Sequence, residues 1–81
     1  MSYYIDISKY DYDSMQEVYK WCEQHVEWHD WTFKTYLESN SIFEPKQIIS
    51  GHNWYFMGKK HNGIVFTNEE DAIAFKLRFG I

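Results

Sequence analysis

The chain has a single cysteine, Cys22, among 81 residues. No internal disulfide can therefore form, and a secreted fold stapled by disulfides is excluded. It has no stretch approaching the ~20 consecutive apolar residues of a membrane-spanning helix. Its first residues, Met1-Ser2-Tyr3-Tyr4-Ile5-Asp6, lack both the basic start and the apolar stretch of a secretory signal. These absences lead to the expectation of a soluble protein of the reducing cytoplasm with no membrane partner. There is no glycine-rich phosphate loop, no serine-nucleophile motif and no pair of carboxylates at a recognisable metal-binding spacing. An enzyme is accordingly disfavoured, and no cofactor is expected. Positive charge is also sparse. Residues 1–44 carry nine acids against three lysines, a net −6, whereas residues 45–81 carry three acids against five basic residues, a net +2. A protein that neutralises phosphates needs a dense basic patch. Lys59-Lys60-His61 is the only short cluster, so nucleic acid is a disfavoured partner.

What the chain has in abundance is aromatic side chains: four Trp, seven Tyr and six Phe. In one small domain spanning residues 1–81 these supply the bulk of the core. A surplus beyond what so small a core can hold points to a binding surface or to self-association.

Periodicity gives the elements. Tyr3 to Ser8 alternates, with Tyr3, Ile5 and Ile7 on one side, as in a half-buried strand. Asp13 or Ser14 is the expected cap of a first helix, with Ser14 and Glu17 at capping-box spacing. Met15, Val18, Tyr19, Cys22 and Val26 form its buried face, and the helix is expected to run to about Glu27 or Trp28. Trp31 to Leu37 alternates again and is rich in strand formers. Glu38 to Lys46 reads as a loop and Gln47 to Ser50 as a short strand. Trp54–Met57 and Ile64–Phe66 read as a hairpin, with Asn62-Gly63 as its turn signal. Thr67 to Ile81 reads as a complete helix, with capping oxygens on Thr67 and Asn68, acids in the first turn, Lys76 and Arg78 near the last, and Gly80 as the stop. Ala72, Phe75 and Phe79, with Ile73 and Leu77 beside them, make a wide apolar stripe. The expected fold is α+β: a small, mainly antiparallel sheet with two helices on one face, in the order β-α-β-β-β-α with room for one further short strand.

Cys22, His25 and His29 have a spacing that could converge on zinc, with His52 or His61 completing a tetrahedron. Cys22 falls on the core stripe, however, where a lone cysteine usually acts as a small hydrophobe. Cys22 with His25 as a nucleophile pair, or His25 with Glu27 and His29 with Asp30 as acid and base, would need a pocket and an orienting group. The favoured working surface is Trp21 and Trp28, seven apart and nearly aligned on the first helix, with His25 between them and Glu17, Glu23 and Glu27 as an acidic rim.

At Phe66-Thr-Asn-Glu-Glu-Asp-Ala-Ile-Ala-Phe-Lys-Leu-Arg-Phe-Gly80 the chain resembles small accessory proteins of large tailed bacteriophages, which often end in a similar F-x-N-E-x-D-A-x-x-F-x-L-R-W/F phrase. Tyr19-Lys20-Trp21-Cys22-Glu23 is similar to a second piece of that pattern. The resemblance covers about a quarter of the chain. It implies a setting in the host cell cytoplasm and a non-enzymatic role, binding and modulating a host or defence protein as an anti-defence inhibitor. A sponge for a nucleotide signal is the alternative, and a zinc-binding module or small metal-dependent enzyme the second alternative.

Overall fold

The strand expected over Trp31–Leu37, with its alternation visible from Trp31 to Thr35, and the 3.6-residue spacing of Met15, Val18 and Cys22 are realised. The computed structural model describes residues 1–37, 47–52 and 61–81. Among them the elements run β1 (Tyr3–Asp6), α1 (Tyr12–His25), a 3-10 turn at Trp28–Asp30, β2 (Trp31–Leu37), β3 (Gln47–Gly51), β4 (His61–Phe66) and α2 (Glu69–Phe79). This is the expected α+β order. The strands form one sheet in the order β1-β4-β2-β3, and every neighbouring pair is antiparallel. β1 and β2 are therefore parallel to one another with β4 between them. The α1 crossover supplies the long connection that parallel strands require. Among the described residues no helix is long and apolar enough to cross a membrane.

Register builds the core in rows. Tyr3, Phe66 and Trp31 are aligned across β1, β4 and β2, and Ile5, Ile64 and Phe33 form the next row. Thr35 and Asn62 follow, with the Thr35 hydroxyl donating to Asn62 Oδ1 at 3.2 Å. Both helices lie on this face. Met15, Val18, Cys22 and Val26 from the α1 segment and Ala72 and Phe75 from α2 join Ile5, Trp31, Phe33, Ile64 and Phe66 in one buried cluster. Fully burying a side chain such as Phe75 is worth roughly 1.5–3 kcal/mol.

Several local expectations are corrected. The oxygen that caps α1 belongs to Asp11, not to Asp13 or Ser14: Asp11 Oδ1 accepts from the Ser14 N–H at 2.8 Å. That bond holds the Asp11 carboxyl below its ordinary pKa. α1 also stops earlier than expected, at His25. Val26 is extended while its N–H still reaches the Cys22 carbonyl at 2.9 Å. The chain then tightens into the 3-10 turn that delivers Trp31 to the sheet. At α2, Asn68 holds the cap position, but its side chain donates to the Asp71 carboxylate at 3.2 Å instead of capping the backbone. Thr67 turns away to bond Asp30. Gly80 does end the helix, in the left-handed conformation at φ 71°, and the Ile81 N–H returns to the Lys76 carbonyl at 3.0 Å. The apolar stripe of α2 is narrower than expected, because Ile73 and Leu77 are exposed at 49% and 81%.

The largest correction concerns Asn62-Gly63, which lies inside β4 and forms no turn. Ile64–Phe66 has both edges occupied, by Tyr3–Ile5 and by Trp31–Phe33, so it is not half of a hairpin with residues 54–57. Glycine at 63 lets the Tyr4 ring lie directly on the strand on the open face of the sheet: a Cβ there would land in that ring and displace it. The expectations for Glu38–Lys46 and Trp54–Met57 lie outside the described residues.

Candidate functional site: an acidic groove with an aromatic rim

α1 ends where α2 begins. Between the two ends lies an open groove of about 460 Å³. The last turn of α1 contributes Glu23, Gln24 and His25, and the following residues contribute Val26, Glu27, Trp28 and Asp30. The start of α2 contributes Asn68 and Asp71. Glu23, Glu27, Asp30 and Asp71 are carboxylates, and neither Lys nor Arg lines the groove.

Local bonds give the groove its shape. The Thr67 hydroxyl donates to Asp30 Oδ1 at 2.8 Å, and the Thr67 N–H donates to the Asp30 carbonyl at 3.0 Å, which pins the 3-10 turn to the entry of α2. His29 Nε2 stands 3.6 Å from Asp30 Oδ1, an ion pair only when the imidazole is protonated, and its side chain is otherwise largely exposed. On α1, hydrogen bonding to Glu23 raises the Tyr19 pKa, with burial as a smaller cause.

The rim is aromatic and packed by rings and hydrogen bonds. Trp28 is 53% exposed, yet its outer position does not leave it loose. Its ring stacks on His52 with centroids 3.7 Å apart and planes 19° apart, and meets the Trp31 ring edge-on at 5.7 Å. His52 Nε2 lies 2.9 Å from the Trp28 carbonyl oxygen and 2.7 Å from that of Trp31. Both acceptors are carbonyls, so Nε2 carries the proton and the tautomer is set by its partners. His52 follows directly on β3, whose Gly51 carbonyl accepts from Thr32 Oγ1 at 3.2 Å. The end of β3 thus fixes the rim of the groove. Trp31, beneath, is buried, and its indole N–H has no hydrogen-bond partner among the described residues.

Of the six residues expected to form the working surface, Glu23, His25, Glu27 and Trp28 are brought together at the groove. Glu17 is exposed on α1 outside it. Trp21 is not an exposed anchor. It is half-buried between the helices, edge-on to Phe75 at 5.8 Å and Phe79 at 6.2 Å, with His25 against it at 5.2 Å. The expected alignment of Trp21 with Trp28 fails because α1 ends at His25 and the chain has turned before Trp28. Asp30, Asn68, Asp71 and His52 were not foreseen in this role. The acids of the first turn of α2 were visible in the sequence, but nothing local shows that this turn meets the end of α1.

Cys22 is fully buried, and burial pushes its thiol pKa strongly upward, with Asp71 adding to the shift. A protonated, enclosed sulfur is poorly suited to be a nucleophile or a metal ligand. Among the described residues no three His, Cys, Asp or Glu side chains form a set that could hold a metal ion, and Cys22, His25 and His29 do not converge.

No protein-family model, no curated protein and no solved structure matches the chain. The resemblance to phage accessory proteins therefore rests on the phrases from Phe66 to Gly80 and Tyr19 to Glu23 alone.

Proposed function

We propose that the chain is a non-enzymatic binding module that captures a basic, Arg- or Lys-bearing segment of another protein in the groove between α1 and α2. In the phage setting that the two phrases imply, that protein is a host or defence protein which the module modulates, an anti-defence role. One observation carries the reading: an exposed tryptophan, stacked on His52, stands at the mouth of a groove lined by four carboxylates and by neither Lys nor Arg. A guanidinium or ammonium entering the groove would meet carboxylates on its walls and a π-face at its rim. Rigid aromatics at the edge of a concave site are typical interface anchors, because little side-chain entropy remains to be lost on binding. The same lining opposes a nucleotide sponge at this site, since phosphates would face Glu23, Glu27, Asp30 and Asp71.

The test is capture from host lysate on immobilised parent protein, followed by titration of the captured protein with Trp28→Ala and with Glu23→Gln/Glu27→Gln. The parent is expected to hold a protein through a basic segment, Trp28→Ala to weaken it by about 2 kcal/mol, and the Gln pair to flatten its salt dependence. Binding unchanged in both variants would refute the assignment to this groove. Quenching of tryptophan fluorescence by a cyclic nucleotide would favour the sponge.

A further inference from the structure

We infer that the groove selects arginine over lysine, and that Trp28 and Glu27 make the choice. The inference rests on the reading of the groove as a receptor for a basic segment, and it names the side chain that the groove takes. An indole has two faces. One face of Trp28 is covered by the His52 imidazole, with centroids 3.7 Å apart and planes 19° apart, and Trp31 stands across the ring at 82°. Trp28 is nonetheless 53% exposed and lines the groove, so the second face is the part that remains open.

The four carboxylates differ in what they already hold. Asp30 accepts from the Thr67 hydroxyl, Asp71 accepts from the Asn68 amide, and Glu23 is hydrogen-bonded with Tyr19. Glu27 is different. It forms no side-chain cap on the 3-10 turn that it precedes, and among the described residues its carboxylate has no hydrogen-bond or ion-pair partner. Glu27 is exposed, stands directly before Trp28 in the chain and lines the same groove. An uncommitted carboxylate and an open aromatic face are therefore neighbours.

A guanidinium can use both at once. It is planar and weakly hydrated, and when it lies on an indole face its N–H donors point outward in the plane, free to form a paired bond with a carboxylate at the margin of the ring. An ammonium cannot divide its contacts in this way. It is a compact charge with a tightly held water shell, and resting on the ring costs it water that the ring does not replace. Lysine is thus left with the attraction of the carboxylates, which arginine enjoys as well.

Two short capped peptides, identical except for one central arginine or lysine among glycine and serine, are titrated into the full nitrogen-15-labelled chain, and the indole N–H signals are followed by NMR. The Trp28 signal is the one missing from Trp28→Leu. The arginine peptide is expected to shift that signal and to bind the parent roughly three- to tenfold more tightly than the lysine peptide. Trp28→Leu, with an unchanged circular dichroism spectrum, should bind the two alike, and Glu27→Gln should weaken the arginine peptide more than the lysine peptide. Equal affinities in the parent, a preference that survives in Trp28→Leu, or a Glu27→Gln loss equal for both peptides overturns the inference and leaves a groove that binds by charge. If neither peptide moves the Trp28 signal, the inference falls together with the reading on which it rests.

Discussion

Trp28 and His52 lie face to face with ring centroids 3.7 Å apart, although the 3-10 turn and the end of β3 place them twenty-four residues apart in the chain. The stack packs an exposed side chain against a residue that is itself bonded to the start of β2. His52→Ala is expected to leave the fold intact at a cost of about 1–2 kcal/mol, from two shared hydrogen bonds and a ring contact. Time-resolved anisotropy should then report a faster-moving indole, in comparison with Trp28→Ala. No change in indole mobility would show that Trp31 alone holds Trp28.

Trp21→Ala should destabilise the protein by about 2 kcal/mol, because two edge-on ring contacts tie α1 to α2 through this side chain. Denaturant unfolding checks this. A variant as stable as the parent would return Trp21 to the role of a surface anchor.

Phe75→Ala should cost about 3–5 kcal/mol, since Phe75 is completely buried. Ile73→Ala on the same helix should stay within about 0.5 kcal/mol. This contrast separates the two faces of α2. Equal losses would mean that the helix is rotated from the position described.

Cys22 makes stability fall at high pH. Its thiol pKa is raised in the folded chain above the ordinary 9.0. Once pH exceeds the unfolded value, the unfolded chain releases a proton that the folded chain keeps. Unfolding then gains on the order of 1 kcal/mol per pH unit above about pH 9. Below that range the cysteine contributes no pH dependence. Chemical denaturation from pH 8 to pH 10 should show the slope in the parent and a shallower one in Cys22→Ala. The thiol should also react with alkylating reagents only as fast as the chain opens.

Gly63→Ala should destabilise the parent, because the added methyl displaces the Tyr4 ring. In a Tyr4→Ala background the same change should be close to neutral. Additive effects in this double-mutant cycle would mean that the ring does not rest on the glycine.

These relationships explain what could and could not be read from the chain. Alternation from Trp31 to Thr35, the buried series Met15, Val18 and Cys22, and the stop at Gly80 are local patterns with local causes, and each appears in the fold. Asn62-Gly63 was misread because the dipeptide commonly makes a turn. What the glycine accommodates here is the ring of Tyr4, fifty-nine positions away in sequence, and no window around residue 63 contains it. Trp21 and Trp28 were misplaced for a related cause: their neighbours Phe75 and His52 are distant in sequence, and extending α1 by three residues was enough to align them falsely. The acids of the groove were visible individually. Their convergence depends on the bond between Thr67 and Asp30, which joins two segments that no local periodicity relates.

The position of β4 has a consequence for how the protein is made. It is the last strand in the described chain, yet it is the one between β1 and β2. While a ribosome is still extending the chain through residue 60, β1 has no described neighbour in the sheet and the β2–β3 pair has one open edge that β4 will later fill. The sheet can close only when residues 61–66 emerge, immediately ahead of the helix that covers them. Closure of the sheet thus waits for β4, and a nascent chain stalled before His61 would present unpaired strand edges to whatever chaperone or protease meets it.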